Sequence, residues 1–404
     1  MNIAINDYGG FPFPFDLSRE LVKRGHQVRH LYTMSSGGPK SVPQSSAPKG
    51  LKIKNLEMAA VSKDDFVKRW YQELNYGRKL VAKLAQWQPQ IIISANTPLV
   101  AQHKIMNWSR KRKIPFIFWL QDLLSIAAKF ILYKRFGPFA WPIYKYFENI
   151  ECYTLRKSDY IVTIADSFIP FLKKFKINMQ KVSTIHNWSP IEDLPELPRK
   201  NDFSTKYQLN EKFVVLYAGT LGLKQNPKLI VQAARAFLED KSIVFVVATD
   251  ERGQNYLRKE MGFINLPNLL ILQLQPITVL PYMLASADIL LSVLGDSASS
   301  FCVPSKVWSG FCAARPSLLV MPKSNLAARI LMEIRAGVVV SPGRVDEVVR
   351  AIKYLKEEAP LREDMARNAR RYAEKKFAIS KIADSFEIIF RRTLDWNVGA
   401  TETQ

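Results

Sequence analysis

Short apolar runs alternate with longer amphipathic stretches along the chain, and the alternation happens twice. Asn2-Ile3-Ala4-Ile5 predicts a first strand, and Asp7-Tyr8-Gly9-Gly10-Phe11-Pro12 a turn. A helix is expected over 16–23, with Leu17, Leu21 and Val22 on one face. Gly25 then stops it in a Schellman-like position, and 26–32 supplies the next strand. This strand–turn–helix–strand order is a βαβ unit and predicts a parallel sheet. Residues 34–50, rich in Ser, Gly, Pro and Lys, read as a mobile loop. A long helix is expected over 65–87, then a buried strand at Ile91-Ile92-Ile93-Ser94 and a helix over 99–112. Further strands are expected at 115–119, 160–164 and 182–185.

Between Pro190 and Gln208 the pattern breaks. Three prolines, a small acidic group and no sustained periodicity mark a domain boundary. The βα alternation then restarts, with strands expected at 213–217, 243–247, 269–272, 289–291, 317–320 and 338–340. The last helices, from Leu361 to about Trp396, carry an apolar stripe of Ala373, Phe377, Ile382, Phe386, Ile389 and Phe390. The expected fold class is α/β, with two Rossmann-like doubly wound domains facing across a cleft. The domains are placed at 1–190 and 212–375, joined by a linker at 191–211. A C-terminal helix at 376–404 has the N-terminal domain as one candidate packing partner.

Composition narrows the class. With 404 residues, 48% hydrophobic and 23% charged, the chain reads as globular and large enough for two domains. No apolar run reaches the ~20 residues that span a bilayer. The opening MNIAINDYGG lacks the basic and long apolar regions of a signal peptide. Cys152, Cys302 and Cys312 fall in no metal-like spacing, and a reducing cytoplasm fits them best. The net charge of +22 is uneven: residues 101–181 hold 15 Lys/Arg against 5 Asp/Glu, interleaved with aromatics such as Trp108, Trp119, Phe139, Trp141 and Tyr146. That mixture suits nucleic acid, an anionic membrane surface, or solvated cations around a large core. Within it, 126–135 has apolar and basic positions at helical spacing, which fits an interfacial helix or a core-facing one.

The candidate chemistry centres on Ala218–Pro227, AGTLGLKQNP, between a buried strand and a helix. Gly219 and Gly222 let backbone N–H groups approach a ligand, the following helix N-terminus favours an anion, and Lys224 adds a positive charge. A diphosphate site and an ordinary βα turn both fit. Asp122 follows a strand's carboxyl end, as a working side chain or as a helix N-cap. There is no Asp-x-Asp to clamp a metal and no Gly-x-Ser-x-Gly, and the four histidines have no metal-ligand spacing.

Taken in order, several segments resemble the retaining glycosyltransferases of family 4, which have the GT-B fold. They are Gly25-His26-Gln27-Val28, Ile185-His186-Asn187-Trp188, Ala218–Gly222, 280–288, Val303-Pro304-Ser305-Lys306, Ala313-Ala314-Arg315-Pro316 and 334–343. The look is of bacterial members that build cell-surface polysaccharide, such as lipopolysaccharide and O-antigen, on lipid carriers. The resemblance implies that the second domain binds a nucleotide-diphosphate sugar and the first an acceptor. It assigns Gly219, Thr220, Gly222, Gln275, Ser299, Ser305 and Ser309 to the donor, with Lys306 and Lys224 at the diphosphate. Gly9, Gly10 and Asn96 would face the cleft, and Asp122 would orient the acceptor, because the family's His-Asp reads Gln121-Asp122 here. Aligned on Pro304 and Arg315-Pro316, two slots where the family commonly has Glu fall at Ser299 and Ser309.

The implied partners are a nucleotide-diphosphate sugar, with UDP and an N-acetylated amino sugar favoured, a lipid-linked acceptor and an anionic membrane surface. No nucleic acid, metal or cofactor is expected. The implied place is the cytoplasm, at the inner face of the plasma membrane. The competing readings are a non-catalytic homologue that binds sugar nucleotide, suggested by the two serines, and a basic nucleic-acid-binding protein.

Overall fold

The computed structural model describes residues 1–34, 48–58, 66–222, 225–295 and 302–399. Two compact units divide the chain: Met1–Asn187 with the segment from Ile379 onward, and Trp188–Ala378.

The first unit holds seven strands, β1 (Asn2–Asp7), β2 (Gln27–Tyr32), β3 (Leu51–Asn55), β4 (Ile91–Ala95), β5 (Phe116–Leu120), β6 (Tyr160–Thr163) and β7 (Val182–Thr184). They form one sheet in the order β3-β2-β1-β4-β5-β6-β7, with every pairing parallel. Every residue of β4, β5 and β6 is buried. Helices on both faces of a parallel sheet require this, so these strands read as continuous apolar runs and not as alternations. The helices are α1 (Pro12–Lys23), α2 (Phe66–Trp87), α3 (Leu99–Lys111), α4 (Leu124–Phe136), α5 (Trp141–Lys157) and α6 (Ile169–Lys174).

Several differences from the sequence reading have clear causes. Helix α1 begins at Pro12, four residues before the expected Asp16. Proline's fixed φ and missing N–H suit the first helical position, so the prolines extend the helix. Its other end is as expected: Gly25 N–H donates to Val22 O at 2.9 Å and His26 N–H to Leu21 O at 3.1 Å, a Schellman motif. Strand β3 was not anticipated, because Leu-Lys-Ile-Lys-Asn is a short, mostly polar edge strand. Most of the loop expected at 34–50 lies outside the described residues. In α4, Leu132 is buried, Ile126, Ala127 and Ala128 are half-buried, and Lys129 and Arg135 are exposed.

The start of α4 is held by a carboxylate from another helix. Glu151 of α5, fully buried, accepts from Leu124 N–H at 2.9 Å, from Ser125 N–H at 3.2 Å and from the Ser125 hydroxyl. It therefore satisfies two of the helix's orphan donors. Burial pushes its carboxyl up to about 7 against those hydrogen bonds, with Asp122 adding a smaller push the same way. Glu151→Ala is expected to cost about 2–3 kcal/mol, because buried N–H groups lose their acceptor. Urea denaturation followed by circular dichroism would read it.

The second unit holds β8 (Phe213–Ala218), β9 (Ile243–Thr249), β10 (Leu269–Gln273), β11 (Ile289–Val293), β12 (Ser317–Val320) and β13 (Gly337–Val340). Their order is β10-β9-β8-β11-β12-β13, again all parallel. The helices are α7 (Asp202–Lys206), α8 (Pro227–Ala236), α9 (Glu251–Met261), α10 (Leu280–Ala285), α11 (Lys306–Cys312), α12 (Leu326–Glu333), α13 (Val345–Glu357) and α14 (Ala359–Lys376). Tyr217, Phe245, Leu291, Val320 and Ile352 lie in its core.

The stretch read as a linker is fastened to this unit by three arginines. Arg199 forms a two-pronged pair with Asp288 at 2.9 and 2.7 Å and also donates to Asn210 O at 3.0 Å. Arg315 donates to Leu197 O at 3.0 Å and Ala285 O at 2.7 Å. Arg370 reaches Leu194 O at 3.2 Å and Cys312 O at 2.5 Å. Guanidinium forks match such sets of oxygens, and each contact is charge-assisted. Arg315 of the Ala-Arg-Pro segment thus does structural work.

The last helix, α15 (Ile379–Gly399), belongs to the first unit. Arg24, beyond the end of α1, pairs with Asp384 at 2.7 Å and Glu387 at 2.8 Å, and His26 Nε2 meets Glu387 at 2.8 Å. Phe386 stands edge-on to Trp119 of β5, with ring centroids 4.9 Å apart.

Candidate functional site

Open parallel sheets bind ligands beyond the strands' carboxyl ends, where the strand order reverses. In the second unit that point lies between β8 and β11, since β8 has β9 on its other side. The chain leaving β8 is Ala218-Gly219-Thr220-Leu221-Gly222. Gly219 has φ +125°, a conformation that favours glycine, while its N–H still extends the ladder to Ala248 O at 2.9 Å. The Tyr217 hydroxyl donates to Thr220 O at 2.8 Å, and Leu221 N–H reaches Asp250 Oδ1 at 3.4 Å. Gly222 N–H donates to Gln225 Oε1 at 2.9 Å. Lys224 lies outside the described residues.

Lys306, the first residue of α11, comes to this turn. Its Nζ sits 3.5 Å from the centre of the Tyr217 ring, and a Cβ placed on Gly219 would come within 3.3 Å of it. That Nζ is wholly out of water and has no hydrogen-bond partner among the described residues. The ring face gives it partial compensation. Burial pulls its pKa down to about 7, with only weak support from Cys302. The same burial raises the Tyr217 hydroxyl well above its ordinary value. The result is a desolvated cation against a glycine with no side chain to block approach.

The other donor-side residues are distributed around this centre. Ser305 is exposed at the start of α11 and makes no side-chain cap. Ser309, one turn on, hydrogen-bonds its hydroxyl to that of Ser189 at 2.9 Å. Gln275 follows β10, two strands away from β8, and donates to Gln273 O at 2.8 Å. Ser299 lies outside the described residues. Tyr217 was not singled out in the sequence; an aromatic at the end of a buried strand, one residue before Ala218-Gly219, was the available signal.

In the first unit the order reverses between β1 and β4. Asp7 closes β1 there, fully buried. Its carboxylate accepts from Gly9 N–H at 3.3 Å, from Phe11 N–H and from Asn96 Nδ2 at 2.8 Å, while Gly10 N–H donates to Asp7 O at 3.1 Å. Asn96 itself is left-handed, at φ 51°. A Cβ on Gly9 would collide with the Phe11 ring at 2.1 Å. Gly9, Gly10 and Asn96 therefore meet around one carboxylate, whose role the sequence reading overlooked. Burial pushes Asp7 up to about 7, against those hydrogen bonds. Asp122 lies just beyond β5, where its charge acts on Glu151. Its neighbour Gln121 is buried and accepts from Asn187 Nδ2 at 2.6 Å.

Asp7 and Glu151 both have folded pKa values raised to about 7, so the folded chain keeps protons that the unfolded chain releases near pH 4. Their contribution to stability is full below that range and is lost as pH rises to about 7. Urea midpoints should fall between pH 5 and pH 8, and Glu151→Gln should flatten part of the slope.

Among the described residues, no group of three or more His, Cys, Asp or Glu could hold a metal ion, and no helix is long and apolar enough to cross a membrane.

Two doubly wound units with ligand positions at their switch points define the GT-B class of glycosyltransferase folds. Solved structures of that class align over nearly the whole chain. Sucrose-phosphate synthase from Thermosynechococcus elongatus is 12% identical, covering 97% of this chain and 99% of its own, with TM-score 0.75. HepE of Anabaena, solved in complex with UDP and glucose, is 14% identical, covering 97% and 100%, with TM-score 0.72. The model of Glycosyltransferase Family 4 matches residues 13–192, most of the first unit, and the fold of the whole chain is GT-B. A curated relative is WcaI of Escherichia coli (strain K12), named as a colanic acid biosynthesis glycosyl transferase. It is 25% identical over 204 residues, 49% of this chain, and the match spans about half (50%) of that relative's length.

Proposed function

We propose that this protein is a retaining glycosyltransferase that moves a sugar from a nucleotide-diphosphate donor to a lipid-linked saccharide in cell-surface polysaccharide synthesis. The observation that carries the reading is the buried Nζ of Lys306, which lies over Tyr217 and Gly219 with no hydrogen-bond partner among the described residues. An ammonium held dry costs free energy unless an anion meets it. As the glycosidic bond breaks, negative charge builds on the leaving diphosphate, and a fixed cation there stabilises the transition state more than the ground state. Lys224 would add a second cation to the same cradle without a metal, and the bare Gly219 and Gly222 would leave it room, their own N–H groups being taken by Ala248 O and Gln225 Oε1. Thr220, Gln275, Ser299 and Ser305 would face the sugar nucleotide. Gly9, Gly10 and Asn96, arranged by Asp7, would present backbone to the acceptor side, with Asp122 orienting the acceptor.

UDP is the proposed nucleotide because HepE was solved with UDP and glucose. A hexose or an N-acetylated amino sugar is the proposed cargo. The colanic acid name of WcaI supports an envelope polysaccharide as the destination. The proposed place is the cytoplasmic face of the plasma membrane, reached through the basic, aromatic part of the first unit.

The test is transfer from a panel of UDP- and GDP-sugars to a polyprenyl-diphosphate saccharide, with calorimetric binding of each nucleotide alongside. Neither binding nor transfer across the panel would overturn the proposal. A second reading has its own observation: the Ser309 hydroxyl, in a slot where a carboxylate is common, is taken up by Ser189. Binding without turnover would favour a sugar-nucleotide-binding homologue. A steeply salt-dependent gel shift with no lipid binding would instead favour nucleic acid.

A further inference from the structure

The basic, aromatic part of the first unit encloses a cleft lined by none of the candidate site residues described above. It has a volume of about 470 Å³ and is walled by α4, α5 and the end of α6. That size is within the range of small-molecule sites. Three lysines line it, Lys129, Lys145 and Lys174, against one carboxylate, Glu148. The spacing of Trp141, Lys145, Glu148 and Cys152 puts all four on one face of α5.

The charges inside the cleft do not cancel. Lys145 pairs with Glu148 at 2.5 Å, and Glu148 also accepts from the Tyr144 hydroxyl. Burial would raise the Glu148 carboxyl, but these hydrogen bonds outweigh it and hold the pKa below the ordinary value. Glu148 is therefore ionised and already used. Among the described residues Lys129 and Lys174 form no ion pair within 4 Å: Lys174 helps from further off to hold the Glu148 pKa down, and Lys129 faces the Tyr144 ring 5.3 Å away. Two positive charges remain for an anion.

The rim indicates where that anion comes from. Trp141 lines the cleft with 56% of its surface exposed, and Phe139, in the turn just before it, is 88% exposed. Large aromatic rings left in water beside unpaired lysines suit the boundary between lipid and water, where the ring meets acyl chain and the ammonium meets phosphate. A soluble phosphate compound has no use for Phe139.

We infer that the cleft binds the phosphate head group of an anionic membrane lipid, with Lys129 and Lys174 on the phosphate and Phe139 and Trp141 entering the lipid surface. The inference deepens the membrane reading above and rests on it, but it does not depend on sugar transfer.

The test is flotation of the full chain with vesicles of phosphatidylcholine containing phosphatidylglycerol. Lys129→Gln/Lys174→Gln should weaken binding by roughly thirtyfold, from the strength of lysine–lipid attraction per residue. The charge-matched Lys111→Gln/Lys113→Gln, at exposed positions, should weaken it far less. Trp141→Ala should weaken binding even in high salt, where lysine contacts fade. Equal losses in the two lysine pairs would overturn the site, since net charge alone would then explain binding. Calorimetry with glycerol 3-phosphate forms the second arm. Tight binding there, with no added affinity for vesicles, would give the cleft to a soluble phosphate and overturn the lipid assignment. Vesicle binding through these lysines in a protein that transfers no sugar would support the site and count only against the transferase reading.

Discussion

Lys306→Ala is expected to lower turnover by ~10²-fold or more in the proposed transfer, as loss of a contact to developing charge does. It should do so without loss of stability. The Nζ has no hydrogen-bond partner among the described residues and keeps only the Tyr217 ring, so the folded protein gains little from it. Thermal denaturation should show a midpoint equal to or above that of the wild type, the usual sign of a side chain kept for function. An unchanged rate would remove Lys306 from the mechanism. The pH dependence follows with a definite sign. Because the free ammonium has its pKa pulled down to about 7, it is partly neutral above that value. A bound diphosphate restores the charge, so binding should take up protons between pH 7 and 9. Affinity should fall up to about tenfold per unit there. UDP-glucose is the proper probe, since its diphosphate is esterified at both ends and does not itself titrate in that range. Calorimetry in two buffers of different ionisation enthalpy would count the protons, and Lys306→Ala should abolish their uptake.

Gly337→Ala should be the most damaging small substitution in the second unit, at about 3–4 kcal/mol or more. A Cβ on Gly337 would lie 1.9 Å from Ser317 O, 2.8 Å from its carbonyl carbon and 2.9 Å from its nitrogen. Those are backbone atoms, and they cannot retreat. Ser317 N–H donates to Ala336 O at 3.1 Å on that side, and on the other side β12 is paired with β11 through Leu290↔Ser317. Gly310→Ala makes a useful contrast. Its new methyl would meet Leu290 Cδ1 at 2.6 Å, the end of a side chain that can turn aside. Its cost should be nearer 1 kcal/mol. Urea unfolding of both variants would separate them, and similar small losses would show that β13 can shift as a body.

Strand positions were legible in the sequence because parallel strands are buried on both faces. Ile91-Ile92-Ile93 and Val214-Val215-Leu216 declare themselves as unbroken apolar runs. Edge strand β3 did not, since Lys52 and Lys54 alternate with its apolar residues. The glycine turn after β8 was legible as a turn, but nothing in Ala218–Gly222 announces that an ammonium from a helix some eighty residues later rests on Tyr217. Long-range packing of that kind has no local signature. Asp7 was hidden for the opposite reason: an acid before two glycines looks like a solvated turn, and only the fold shows it dry. The helix start after Asp122 was easier to place than its cap, because Glu151 arrives from another helix.

The placement of α15 has a bearing on how the chain is made. Phe386 covers Trp119, and Asp384 and Glu387 receive Arg24, yet these residues follow the whole of the second unit in the chain. During synthesis the second unit has all its strands out of the ribosome before the first unit has its last helix. Until then the face that α15 will cover stays open to water. A nascent first unit therefore spends the longest time unfinished, although it is the first to emerge. Chaperone binding to stalled chains should be greatest at lengths just short of Ile379 and should drop once α15 can dock.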